Sequence, residues 1–123
     1  MTQEDKELLL IDICARLPYG VKIELTWWVM DEGTYVNVTL EPEHIEQLLN
    51  YENYITEIKP YLFPLSSMTE EQKKEYQYIT ERWMYDSSYS ISDSIDWLNK
   101  NHFDYRGLIP MGLAIDATNL SIY

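Results

Sequence analysis

The chain has 123 residues, 46% of them hydrophobic, and sets 21 Asp and Glu against 9 Lys and Arg for a formal charge of -12. That length and apolar content suit one domain over residues 1–123, while the charge makes phosphate backbones and anionic lipid repulsive partners. The start, Met1-Thr2-Gln3-Glu4-Asp5, has no basic leader region, no apolar run approaches the ~18 residues that span a bilayer, and the single cysteine, Cys14, cannot close an internal disulfide. These features point to a reducing, cytoplasmic setting without membrane contact.

Thr2 and Asp5 stand at capping-box spacing, and Leu10, Ile13, Cys14 and Leu17 then recur at helical intervals until Pro18 stops them. The first element is therefore an amphipathic helix, with Cys14 expected on its buried stripe as an inert thiol. Val21 to Met30 alternates, with Val21, Ile23, Leu25, Trp27 and Val29 on one side and Lys22, Glu24, Thr26, Trp28 and Met30 on the other. Asp31-Glu32-Gly33 supplies a turn and Tyr35 to Leu40 alternates again, so the pair reads as a β-hairpin. Pro42 suits a first helical turn, and Ile45, Leu48 and Leu49 give the short helix after it an apolar stripe. Tyr51 to Leu65 contains Pro60 and Pro64 and reads as an extended or edge segment.

Ser67 with Glu70, or Thr69 with Gln72, caps the next helix, whose Tyr76, Ile79 and Trp83 share a face. After the polar break Asp86-Ser87-Ser88-Tyr89-Ser90, Ser90 and Asp93 offer a further capping box ahead of Ile91, Ile95 and Leu98, in a helix ending near Asn101. Gly107 and Gly112 flank an apolar stretch, and Leu113-Ala114-Ile115 reads as a terminal strand. The spacing thus predicts an α+β fold with an N-terminal helix, a β-hairpin and further short helices and strands, without regular βαβ alternation.

The densest polar segment is Asp96-Trp97-Leu98-Asn99-Lys100-Asn101-His102-Phe103-Asp104-Tyr105-Arg106-Gly107-Leu108-Ile109. His102, Asp104, Tyr105 and Arg106 form a ligand-binding candidate, with Lys59 and a stacking Trp27 or Trp28 as supporting groups, because imidazole titrates near neutrality and guanidinium presents a planar fork to anions. On a strand, His102, Asp104 and Arg106 would face one way. The structural alternative is a knot, in which Asp104 caps a turn or pairs with Arg106, His102 bonds to backbone, and Phe103 and Tyr105 pack beneath.

Asp96-Trp97-Leu98-Asn99, His102, Asp104-Tyr105-Arg106-Gly107-Leu108-Ile109 and Gly112-Leu113-Ala114 resemble the C-terminal signature of a group of small proteins of Bacteroidetes and their phages. The stretch from Leu8 to Lys22, with Cys14-Ala15-Arg16-Leu17-Pro18-Tyr19-Gly20-Val21-Lys22, and the stretch from Lys59 to Thr69 are similar to the same group, so the similar segments are spread from Leu8 to Ala114. The resemblance carries no catalytic residues. It implies a cytoplasmic protein of a phage or mobile element, for which interference with a host protein is a reasonable class of activity.

Enzymatic and cofactor chemistry finds no motif. His44 and His102 are the only histidines, and neither a Cys pair nor an HExxH helix, a P-loop, a dinucleotide glycine loop nor a nucleophile elbow is present. What stands out instead is that no Lys or Arg falls between Ile23 and Ile58, while Glu24, Asp31, Glu32, Glu41, Glu43, Glu46, Glu52 and Glu57 do. Tyr35, Tyr51 and Tyr54 are interspersed, and tyrosines are favoured at interfaces. The expectation is a non-enzymatic surface for a basic protein on Glu41, Glu43, Glu46, Tyr51, Glu52 and Tyr54, acting as a decoy for a cationic groove. A homodimer through Trp28 and Met30 on the hairpin is a further expectation.

Overall fold

The structure is a computed structural model that describes residues 2–27, 33–50, 55–86, 88 and 90–123, with side chains for these except 27, 33–36, 50, 55, 56 and 83. Its elements are α1 (Gln3–Arg16), β1 (Lys22–Trp27), β2 (Gly33–Thr39), α2 (Pro42–Asn50), β3 (Ile55–Pro64), α3 (Glu70–Tyr85), α4 (Ile91–Lys100), β4 (Phe103–Asp104) and β5 (Ile115–Asp116), with 3-10 turns at Leu17–Tyr19 and Leu65–Ser67. The arrangement is α+β. None of the helices described is long and apolar enough to cross a membrane.

The helices begin where side chains satisfy backbone donors that have no intrahelical acceptor. Thr2 accepts from the Asp5 N–H at 3.0 Å. Thr69 and Gln72 exchange bonds at 3.1 and 2.9 Å, so Thr69 starts α3, while Ser67 gives its hydroxyl to the Pro64 carbonyl at 2.6 Å. Asp93 accepts from the Ser90 N–H at 2.7 Å ahead of α4. Each such cap contributes about 1 kcal/mol. Pro18 converts the end of α1 into a 3-10 turn, closed by Gly20 at φ +68°, a left-handed conformation that glycine adopts at little cost.

The strands run in the order β2-β1-β3-β4, with β5 also beside β3. β1 is antiparallel to β2 and β3, whereas β4 and β5 are parallel to β3. The segment that its prolines mark as an edge is thus the middle of the sheet. The reason lies in the register: Pro60 sits opposite Ile23, the last rung shared with β1, and from Tyr61 onward β3 pairs instead with Ile115 and then Phe103. The missing proline N–H falls at this handover. There the Tyr123 hydroxyl accepts from the Lys22 N–H at 2.7 Å and donates to the Tyr61 carbonyl at 2.8 Å, a side-chain substitute for the rung that β1 and β3 lack.

Val21, just before β1, and Ile23 and Leu25 on its inner face are buried with Ile58 and Leu62 of β3, and Leu9 and Ile13 of α1, Leu48 of α2, Leu108 and Leu113 close this core. Each such side chain contributes roughly 1.5–3 kcal/mol on burial. A second cluster of Trp97, Leu98 and Phe103 gathers Phe63, Met68, Tyr76 and Ile79, which seats α3 and α4 near the C-terminal end of β3.

Three helix faces differ from the apolar periodicity. α1 buries Leu9, Asp12, Ile13 and Arg16 and leaves Cys14 exposed, because Asp12 and Arg16 satisfy each other internally. α2 buries Leu48 but exposes Leu49 at 51%. α4 buries Ser94, Trp97, Leu98 and Asn99 and turns Ile91 and Ile95 outward, since Trp97 stacks on Phe103 and the Asn99 side chain accepts from Tyr105. The terminal strand is Ile115–Asp116, slightly later than the apolar run suggests.

Candidate functional site

The polar motif after α4 folds into a knot closed by Asp12 and Arg16 of α1 and by Tyr123. α4 ends at Asn101, and His102 takes φ +62°, which redirects the chain into β4. β4 has only two residues, so strand alternation does not carry His102, Asp104 and Arg106 to one face. Each takes a different partner. Asp104, buried, accepts from the Leu108 N–H on Oδ1 and the Ile109 N–H on Oδ2, each at 2.9 Å, and thereby caps the turn through Gly107. Arg106 donates to Asp12 Oδ1 at 2.8 Å, although 94 residues separate them.

Asp12 is also the partner of Arg16, whose Nε and Nη2 donate to its two oxygens at 2.8 and 3.1 Å. Asp12 and Arg16 are completely buried, and Arg16 Nη2 adds a 2.6 Å bond to the Phe103 carbonyl. One carboxylate thus holds two guanidiniums, and the Tyr105 ring lies 5.3 Å from the Arg16 carbon and 4.6 Å from that of Arg106. The Tyr105 hydroxyl donates to Asn99 Oδ1 at 2.9 Å. Buried charges of this kind are tolerated only when paired and hydrogen-bonded together.

His102 stacks on Tyr123, with ring centroids 3.8 Å apart and planes 13° apart. Burial first, then the Arg16 charge, pushes its pKa down to about 4, so the imidazole is neutral at pH 7. Burial pushes the Tyr123 phenol up to about 12. Arg16 Nη1 and His102 Nδ1 are buried without a protein partner, the first on a guanidinium over Tyr105 and the second on a ring covered by Tyr123. The supporting Lys59 lies on β3, where it pairs with Glu57 at 3.0 Å and stands opposite Glu24. The Trp27 side chain and Trp28 lie outside the described residues, as does Met30 of the expected dimer face.

The acidic candidate is differently built. Glu41 precedes α2, and its N–H donates to His44 Nδ1 at 3.0 Å, so an imidazole caps this helix and Pro42 occupies its first turn. Leu48 and Ile45 face the core, which leaves Glu41, Glu43 and Glu46 exposed. Acids around a helix N-terminus are favoured by the helix dipole. None of the ion pairs among the described residues involves these three carboxylates.

The acids of the middle of the chain therefore divide into two sets. Of those on the sheet, Glu57 pairs with Lys59 and Glu24 stands opposite it in the register, whereas those at α2 are in no ion pair among the described residues. Tyr51, Glu52 and Tyr54 of the expected contact, together with Asp31 and Glu32, lie outside the described residues, as does the side chain of Tyr35. Among the described residues no group of three His, Cys, Asp or Glu is placed to hold a metal ion. Asp12, Arg16, Asn99 and Tyr123 complete the knot, although none of them is among the ligand-binding candidates of the sequence. Only the i,i+4 spacing of Asp12 and Arg16 carried a local signal for it.

No family model, curated protein or solved structure matches the chain.

Proposed function

We propose that the protein is a non-enzymatic interaction module of the cytoplasm that binds a basic protein through the exposed carboxylates of α2. The supporting observation is that Glu41, just before α2, and Glu43 and Glu46 on it are exposed and outside every ion pair among the described residues, in a chain of formal charge -12. The competing polar segment, residues 102–106, directs its Asp and Arg charges into the fold rather than outward. That favours association with a protein over capture of a small anion.

Unpaired surface carboxylates act mainly at a distance. Each exposed ion pair contributes about 1 kcal/mol or less once formed, but a field of one sign raises the encounter rate with a cationic partner and weakens as salt screens it. The resemblance to small proteins of Bacteroidetes and their phages implies a host protein as that partner and interference as the outcome. The test compares wild-type protein with Glu41→Gln, Glu43→Gln and Glu46→Gln combined, each immobilised and exposed to host lysate at low and high salt. A cationic protein retained by the wild type, released by salt and lost from the triple variant supports the reading. Equal retention by the variant removes it.

A further inference from the structure

We propose that a cleft beside the start of α3 binds one neutral planar ring, of nucleobase size, that carries hydrogen-bond donors and acceptors on its edge. The cleft holds about 240 Å³ and is lined by Phe63, Ser67, Thr69, Gln72, Phe103 and Thr118. This is below the ~300 Å³ at which pockets for drug-sized ligands begin, so a single ring system is the matching size.

The floor is aromatic and held from behind. Phe63 and Phe103 are neighbours in the parallel register of β3 and β4, with centroids 6.2 Å apart. Phe103 stacks on Trp97 at 5.7 Å, Trp97 lies 5.5 Å from Tyr76, and Phe63 lies 5.7 Å from Tyr123. Phe103 is buried and braces the floor from behind, while the half-buried Phe63 offers the ring surface with which a flat ligand gains offset or edge contacts.

The rim is neutral and has unused hydrogen-bonding capacity of two kinds. The Thr69 oxygen accepts from the Gln72 N–H and Gln72 Oε1 accepts from the Thr69 N–H, which leaves the Thr69 O–H and the Gln72 NH₂ to donate. The Ser67 hydroxyl donates to the Pro64 carbonyl and that of Thr118 to Asp116, which leaves oxygen lone pairs to accept. The capping box that starts α3 also fixes the two donors in place before any ligand arrives. Among the described residues no charged side chain lines the cleft, although the chain carries 9 basic and 21 acidic residues. A phosphate or carboxylate would find no counter-charge there, so the ligand is neutral.

Uracil, with two N–H groups and two carbonyls on one flat ring, is the probe. The uniformly ¹⁵N-labelled full chain is titrated with uracil and, separately, with glucose, and amide shifts are followed. Saturable uracil shifts at Phe63, Thr69, Thr118 and the Gln72 side-chain NH₂ support the proposal, together with at least tenfold weaker binding by Thr118→Phe, which fills the mouth from an exposed position, and unchanged binding by Thr118→Ser. Ser67→Leu, read in the same way, serves if Thr118→Phe loses its dispersed spectrum. Absence of saturable uracil shifts at these residues, shifts undiminished in the filled variants, or a response to glucose with none to uracil overturns it. Because the cleft shares no residue with α2, the outcome is independent of the basic-protein reading.

Discussion

The segment from His102 to Arg106 and the first turns of α2 are polar clusters of similar appearance in the sequence, but the fold treats them oppositely. In the first, Asp104 caps backbone, Arg106 reaches Asp12, and Tyr105 lies beneath two guanidiniums. In the second, Glu41, Glu43 and Glu46 remain exposed, outside every ion pair described. Polar density therefore does not itself mark a site. What separates the two is whether the bonds of each group are completed inside the molecule, and that depends on partners far away in the chain.

The comparison breaks most readily at Asp12. Asp12→Ala strips the carboxylate from a fully buried Arg16 and from Arg106, and is expected to cost about 3–5 kcal/mol in urea unfolding. Asp12→Leu combined with Arg16→Met should lose less than Asp12→Ala, because the fully buried guanidinium goes with its partner and only the partly exposed Arg106 is left unpaired; an equal or greater loss would show that the knot stabilises by more than mutual neutralisation. Tyr123→Phe should cost about 1–2 kcal/mol, since the Lys22 N–H and the Tyr61 carbonyl lose the hydroxyl between them. A variant as stable as wild type would mean that water replaces the phenol there.

A fourth variant tests the neutral imidazole. With a folded pKa of about 4 against an ordinary 6.5, the unfolded chain binds the extra proton between these values, so the stability that neutral His102 contributes is present above pH 6.5 and lost as pH falls toward 4. His102→Asn tolerates the left-handed backbone and cannot titrate, so its unfolding midpoint should vary less with pH across this window than that of wild type. Parallel pH profiles would remove the assignment. The smallest expected effect belongs to the other region: Glu41→Gln, Glu43→Gln and Glu46→Gln together should change stability by less than about 0.5 kcal/mol while abolishing salt-sensitive partner binding. A large loss of stability would show that these carboxylates are structural after all.

Local chemistry was legible where it is written in neighbouring residues. The starts of α1, α3 and α4 follow from Thr2, Thr69 and Ser90, and the core side of β1 from its alternation. Helix faces were less legible, because apolar periodicity cannot anticipate that Asp12 and Arg16 turn inward as a pair or that Asn99 is buried with Tyr105. The central position of β3 was hidden by Pro60, whose missing donor looks like an edge signal until the change of partner strands is known. In the acidic region the exposure of α2 followed from its stripe, but the alignment of Lys59 with Glu24 depends on strand register, which no local window contains.

The position of β3 also bears on how the chain reaches its native state. Residues 55–60 of this strand are met by β1, earlier in the chain, and residues 61–64 by β4 and β5, which follow two helices later. Contacts of such sequence separation form late, and during synthesis β3 emerges well before the segments that pair with its last residues. Until they arrive, its unpaired amides and carbonyls are open to strands of neighbouring molecules, so the nascent chain, more than the finished one, is the species prone to aggregate.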